Sequence, residues 1–180
     1  MAASGLGFRF LSHTVARTAF NPLPPIAFMK LLDYLDPSHI ELKLGGDNKE
    51  EVLRALVQVM ADQGTIAKPG HLLDSLMERE ELGSTGIGHG VAIPHCRSKE
   101  LARSVVVFGR TEAEVNFASI DGKTARIFFL LVAPENGENQ HLHLLAKIAR
   151  LMRDAAIRER LLALQAPPEV LELLGLHDLE

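Results

Sequence analysis

Residues 83–95 hold the residue types and spacing best suited to chemistry in this chain: Gly83-Ser84-Thr85-Gly86-Ile87-Gly88-His89-Gly90, then Val91-Ala92-Ile93-Pro94-His95. Four glycines in the eight residues 83–90 exclude a regular element there and call for a loop with unusual backbone angles. Successive backbone N–H groups in such a loop form a concavity that binds anions. Pro94 fixes its own φ and keeps Ile93 extended, so His95 follows a rigid segment and is held in place. A neutral imidazole is a nucleophile toward phosphorus, and an ordinary pKa of ~6.5 leaves most of it neutral near pH 7. The pattern reads as an anion cradle beside a positioned imidazole. The plain alternative is a glycine-rich surface loop ending in a hydrogen-bonded histidine. Gly86-x-Gly88-x-Gly90 is neither a P-loop nor the dinucleotide fingerprint.

The other candidates are weaker. His141 and His143 offer a second chemistry, a metal-dependent hydrolase using both with His95. A His-x-His pair can ligate zinc from a strand, but on a helix residues two apart diverge, so only one of the two can face His95. His89 reads as an exposed spacer, and His39, His71 and His177 have no nameable partner. Cys96 is either a small packed residue or a redox-sensitive thiol. Arg79, at a charged helix end, reads alone as a solvated or ion-paired side chain.

The elements that must position these residues follow from periodicity. Ile40, Leu42 and Leu44 alternate over 39–44, a short half-buried strand. Asp47 as N-cap with Glu50 at the third helical position starts a helix carrying Val52, Leu53, Leu56, Val57, Val59 and Met60 inward and stopping at Gly64. A second helix is predicted over 71–80. Residues 104–109 and 127–132 are apolar runs too short for helices, and the latter reads as a central strand buried on both faces. Asp121-Gly122 is a turn, and residues 133–137 form the next loop. A helix over 138–153 turns Leu142, Leu145, Ile148, Ala149 and Met152 inward, and shorter helices follow over 155–165 and 168–174. Doubly buried strands interleaved with amphipathic helices predict a layered α/β domain. The connections within 109–124 are too short for helical crossovers, so the sheet is expected to be mixed.

Composition narrows the function classes. With 180 residues, 47% hydrophobic and 23% charged, the chain has the size and make-up of one globular domain, long enough to bury a core. One cysteine excludes an intrachain disulfide and points to a reducing, cytoplasmic compartment. No apolar run reaches the ~20 residues that a membrane helix needs. A net charge of −4, no tryptophan and one tyrosine disfavour nucleic-acid binding. Residues 1–28 differ: they carry Arg9 and Arg17, no acid, and the turn Asn21-Pro22-Leu23-Pro24-Pro25. They read as an N-terminal extension, either floppy or upstream of a true start at Met29, with a targeting segment or ordered arm as alternatives. The domain is expected over 29–180.

Glu78-Arg79-Glu80, residues 83–88 and residues 90–95 together resemble the signature of the type-2 enzyme IIA domains of the bacterial phosphoenolpyruvate-dependent phosphotransferase system. These are the mannitol/fructose-type domains, and the nitrogen-regulatory branch is most similar. The resemblance covers residues 29–174. It implies an α/β fold with a mixed, five-stranded sheet flanked by helices. It implies that His95 accepts a phosphoryl group from HPr or a nitrogen-branch paralogue, with Arg79 near the active site and His141 beside the acceptor. On that reading Arg79 and the loop of Ser84, Thr85, Gly86, Gly88 and Gly90 balance phosphoryl charge, and neither metal nor cofactor is needed. Cys96 departs from the glycine found in many members. The expected output is regulatory, through phosphorylation-dependent binding of partner proteins. The alternatives are a sugar-specific IIA component passing phosphate to a IIB domain, the metal-dependent hydrolase, and a binding module without covalent chemistry.

Overall fold

A computed structural model describes residues 29–136 and 138–178. The expectations for residues 1–28 and for Gly137 lie outside them. In chain order the elements are β1 (Ile40–Glu41), α1 (Lys49–Asp62), α2 (Pro69–Glu81), β2 (Gly86–Gly88), β3 (Val91–Ala92), β4 (His95–Ser98), β5 (Val105–Val115), β6 (Ala125–Pro134), α3 (Glu138–Leu151), α4 (Ala155–Ala163) and α5 (Pro167–His177).

The unbroken apolar runs of β5 and β6 have the burial expected of strands covered on both faces. Side chains alternate along a strand, so Val106, Phe108, Ile127, Phe129 and Leu131 join one core with Ile148, Leu161 and Leu174. Val105, Val107, Phe128, Leu130 and Val132 join a second with Leu53, Leu56 and Leu76. Helices α1 and α2 thus cover one face and α3, α4 and α5 the other. Burying each such side chain contributes roughly 1.5–3 kcal/mol. Phe108 meets Phe129 edge-on at 5.1 Å between ring centroids.

The sheet is mixed, as the short 109–124 connection required, and its order is β1-β5-β6-β3-β2. β5 and β6 are antiparallel, whereas β1 on β5 and both β3 and β4 on β6 are parallel. The sheet has six strands rather than five. The extra one arises at Pro94, which has no N–H to donate. It splits one extended run into β3, opposite Ile127 and Phe128, and β4, which pairs His95 with Leu131 and continues to Ser98 opposite Pro134. His95 therefore heads a strand rather than ending a loop.

Other local expectations need correction. The strand over 39–44 shrinks to β1, because a 3-10 turn over Pro37–His39, capped by the Asp36 carboxylate at 2.9 Å from the Ser38 N–H, uses its first residue. Asn48, not Asp47, caps α1: its side chain accepts the Glu51 N–H, and Glu51 reaches back to the Asp47 N–H. The N-cap is thus displaced by one residue, and Glu51 reaches past it to the residue before. Helix α2 starts at Pro69, where a missing N–H costs nothing. On α3 the inward stripe runs through His141, Leu144, Ile148 and Leu151, while Leu142 is 63% exposed. The polar His141 takes the inward place assigned to Leu142. Helix α4 ends short of residue 165, and α5 extends to His177.

Residues 83–90 are not an irregular loop throughout. Gly86 and Gly88 pair antiparallel with Ala92 and Val91, making a tight hairpin whose tip carries His89 at φ +56° and Gly90 at φ +79°. A Cβ on Gly86 would lie 2.5 Å from Ser119 Oγ, so glycine is what lets this hairpin pack on the 116–122 segment. Far from there, Lys147 Nζ ties Met29 to the end of α5, 2.6 Å from Asp178 Oδ1 and 2.8 Å from the Met29 carbonyl.

Candidate functional site

Three elements converge on one imidazole. His95 comes from the start of β4, Arg79 from the last turn of α2 and His141 from the first turn of α3. His95 Nδ1 lies 2.8 Å from the Ile93 carbonyl oxygen. A carbonyl only accepts, so Nδ1 carries the proton and Nε2 the lone pair. That lone pair receives the Arg79 Nε–H at 3.2 Å, and Arg79 Nη1 donates to the Gly83 carbonyl at 3.0 Å. Burial pushes the imidazole below its ordinary pKa, the adjacent guanidinium adds to this, and the Ile93 carbonyl and Glu80 carboxylate oppose it. The ring is thus half-buried, neutral at pH 7 and fixed in one tautomer.

His141 is 7% exposed, and its ring centroid is 5.4 Å from that of His95. Its Nδ1 is buried without a hydrogen-bond partner among the described residues. Burial first, then the charges of His95, Arg97 and Arg79, push its pKa down to about 4. The unfolded chain therefore binds a proton that the folded one refuses between pH 6.5 and about 4. Stability rises with pH across that window and falls on acidification. In His141→Asn, chemical-denaturation midpoints should change less between pH 7 and pH 4 than in the wild type.

Part of the expected cradle is already hydrogen-bonded within the protein. The Thr85 N–H and Oγ–H donate to the Glu80 carboxylate at 3.0 and 2.7 Å. The Gly86 N–H goes to Ser84 Oγ, which itself donates to the Phe117 carbonyl. Gly88 pairs within the hairpin, and the Gly90 carbonyl accepts from Arg126 and Ile127. The His89 N–H binds Asp121 Oδ2 at 2.9 Å. The Thr85, Gly86 and His89 donors therefore already have acceptors, supplied by Glu80, Ser84 and Asp121. Of the predicted site side chains, Arg79 and His141 are those that meet His95 among the described residues.

Glu80 was legible only as part of the motif, without a role. It is 8% exposed and also binds Lys49 Nζ at 2.9 Å. Burial disfavours its charge, but the hydrogen bonds from Lys49 and Thr85 outweigh that and hold its carboxyl below the usual range. No spacing rule links residues 49 and 80. His143 is exposed, on a different face from His141. Cys96 is packed in the core under α1 and α2, and burial pushes its thiol up to about 12, which suits a packed residue rather than a reactive one. His39 has a partner after all, Thr65 Oγ1 at 2.8 Å.

An α/β/α sandwich of this kind has known counterparts. Residues 33–175 match the family described as phosphoenolpyruvate-dependent sugar phosphotransferase system, EIIA 2, and the chain belongs to that family. It is 34% identical over 148 residues to a nitrogen regulatory protein of Bradyrhizobium diazoefficiens, covering 82% of this chain and 96% of that protein. It is 30% identical over 150 residues to the fructose-specific EIIABC component of Bacillus subtilis, covering 83% of this chain but spanning only 24% of that longer protein. The crystal structure of nitrogen regulatory protein IIA-Ntr from Neisseria meningitidis superposes with a TM-score of 0.74 at 33% identity, covering 79% of this chain and 97% of that one. Among the described residues no helix is long and apolar enough to cross a membrane.

Proposed function

We propose that this chain is a nitrogen-regulatory IIA protein that accepts a phosphoryl group on His95 Nε2 from an HPr-like phosphocarrier. Its phosphorylation state then controls the binding of partner proteins in the cytoplasm. The observation that carries this reading is the Nδ1-protonated tautomer of His95, which leaves an Nε2 lone pair facing an arginine. In the transfer, the nitrogen–phosphorus bond of the carrier's phosphohistidine breaks as the Nε2–phosphorus bond forms. The neutral Nε2 needs no base to remove a proton, and no metal or cofactor enters. Arg79 lets go of the lone pair and takes phosphoryl oxygens instead, which are stronger acceptors. His141, neutral and with a free Nδ1, lies beside the product phosphoryl group. The phosphate adds nearly two negative charges, enough to repel or recruit a charged partner.

A protein donor suits the surroundings. Leu82 and Ile120 are 86% and 87% exposed on the segments flanking the hairpin, and Leu142 stands next to His141. Exposed apolar side chains spaced around a polar centre are what a transient protein interface covers. We assign the domain to residues 29–180, with 1–28 as an extension. The similarity to the fructose-specific component favours a second reading, a sugar-specific IIA that passes phosphate to a IIB domain.

A relay of phosphoenolpyruvate, enzyme I and purified carrier separates the two. The nitrogen reading expects acid-labile phosphate on this chain, gained faster from the nitrogen-branch carrier than from HPr. Faster labelling from HPr with onward transfer to a fructose IIB domain would favour the sugar reading, and no labelling from either carrier would remove both.

A further inference from the structure

Both ring nitrogens of His95 are held by groups whose own placement leads back to one buried carboxylate. On the Nδ1 side, the Ile93 carbonyl accepts the ring proton, and the Ile93 N–H donates to the Thr85 carbonyl at 2.9 Å. Thr85 in turn places its N–H and hydroxyl on Glu80. On the Nε2 side, Arg79 is the residue before Glu80, and its guanidinium also grips the Gly83 carbonyl. Gly83 lies in the turn that Glu80 closes twice, by its carboxylate to Thr85 and by its carbonyl to the Gly83 N–H at 3.2 Å. Lys49, from the first position of α1, neutralises the carboxylate, and its ammonium sits 5.1 Å from the centroid of the Phe117 ring. The Phe117 carbonyl takes the Ser84 hydroxyl, so the far side of the same turn is tied down as well. Glu80 itself has no hydrogen bond to His95, Arg79 or His141 among the described contacts.

We propose that Glu80, paired with Lys49, is the positioning residue of the phosphoryl site. It fixes the His95 tautomer through Thr85 and Ile93, and it fixes the Arg79 guanidinium through the 80–85 turn. It also keeps the Thr85 donors engaged, so that they do not add to the grip on the phosphoryl group, which stays transferable. The role in transfer rests on His95 being the acceptor; the role in setting the tautomer does not. Burying an ion pair gains little stability by itself, because desolvation offsets the attraction. A pair kept at this turn is better explained by the geometry it imposes on its neighbours. A misplacement near 1 Å can cost about a hundredfold in rate.

The test uses the full chain and three variants, Glu80→Ala, Glu80→Gln and, as a control, Lys147→Met, which breaks a buried ion pair remote from the site. Long-range proton–nitrogen NMR of the imidazole rings reads the His95 tautomer without any phosphate donor. Single-turnover phosphorylation against carrier concentration separates the maximal rate from half-saturation. Wild type is expected to show one tautomer, protonated at Nδ1. Glu80→Ala is expected to show a mixture and to lose about tenfold to a hundredfold in maximal rate with half-saturation unchanged. Glu80→Gln, which still offers a carbonyl to Thr85, recovers part of both readouts. Lys147→Met lowers the melting temperature without touching either. If Glu80→Ala keeps the wild-type tautomer and rate, the proposal is overturned. It is also overturned if Lys147→Met loses rate to the same degree, because the loss then follows stability alone. Should Glu80→Ala not fold, a wild-type tautomer in Glu80→Gln overturns it equally. If wild type accepts no phosphate from any carrier, the acceptor reading fails, while the tautomer comparison still decides the place of Glu80.

Discussion

His95→Ala is expected to take up no phosphate from either carrier and still to fold. The first half follows from chemistry: the substitution removes the lone pair that would attack phosphorus. His141 is no substitute, because it is only 7% exposed. The second half follows from how β4 is held. Its register against β6, His95 opposite Leu131 through Ser98 opposite Pro134, is made by backbone groups that an alanine retains. What is lost is the Nδ1–H bond to the Ile93 carbonyl and the Arg79 contact. Leaving one partly buried carbonyl unpaired costs about 1–3 kcal/mol. Labelling should therefore vanish while far-ultraviolet circular dichroism stays that of the wild type and the melting temperature drops only modestly. Undiminished labelling would move the chemistry to another residue.

Arg79→Ala should still accept phosphate, but more slowly by about 10²–10³-fold, the loss typical of removing one donor that meets charge developing in a transition state. Its pH dependence carries a second signature. The guanidinium is one of the causes that hold the His95 pKa below its ordinary value. Without that cation the pKa rises toward the ordinary value. The ring then takes a proton at higher pH, and the acid limb of the rate profile moves upward. Arg79→Lys should restore the position of that limb by returning the charge. It should restore little of the rate, because an ammonium lacks the fork that spans Nε2 and the Gly83 carbonyl. Initial labelling rates between pH 5 and pH 8 for the three proteins measure both effects. An Arg79→Ala variant with wild-type rate and profile would reduce the arginine to a structural tie.

The parts of the fold written in local pattern were readable from residue order. The apolar runs of β5 and β6 need burial on both faces, and no other placement satisfies them. The short 109–124 connection permits only an antiparallel pairing. The site was half legible. His95 stands out because Pro94 precedes it and glycines surround it, and Arg79 and His141 came from a family pattern rather than from spacing. Distance in sequence hid the rest. Lys49 and Glu80 meet only because α1 and α2 share one face of the sheet. The glycines suggested a free anion cradle, because sequence shows that N–H groups are exposed to choice but not which acceptor will claim them. Here Glu80, Ser84 and Asp121 claim them. Of the predicted inward stripe of α3, Ile148 and Met152 are buried and Leu145 and Ala149 pack against the core, and only Leu142 gives up its place, to a histidine. Once neutral, with its pKa at about 4, His141 packs inward beside Leu144 and Ile148.

Which ring nitrogen carries the phosphorus is the most direct question. With the chain labelled by nitrogen-15 and phosphorylated through the relay, the imidazole spectrum reports the nitrogen bonded to phosphorus. The expected result is a phosphorus-coupled Nε2 on His95 with the proton retained on Nδ1, hydrogen-bonded to Ile93. Phosphorus on Nδ1, or on any residue other than His95, would contradict it.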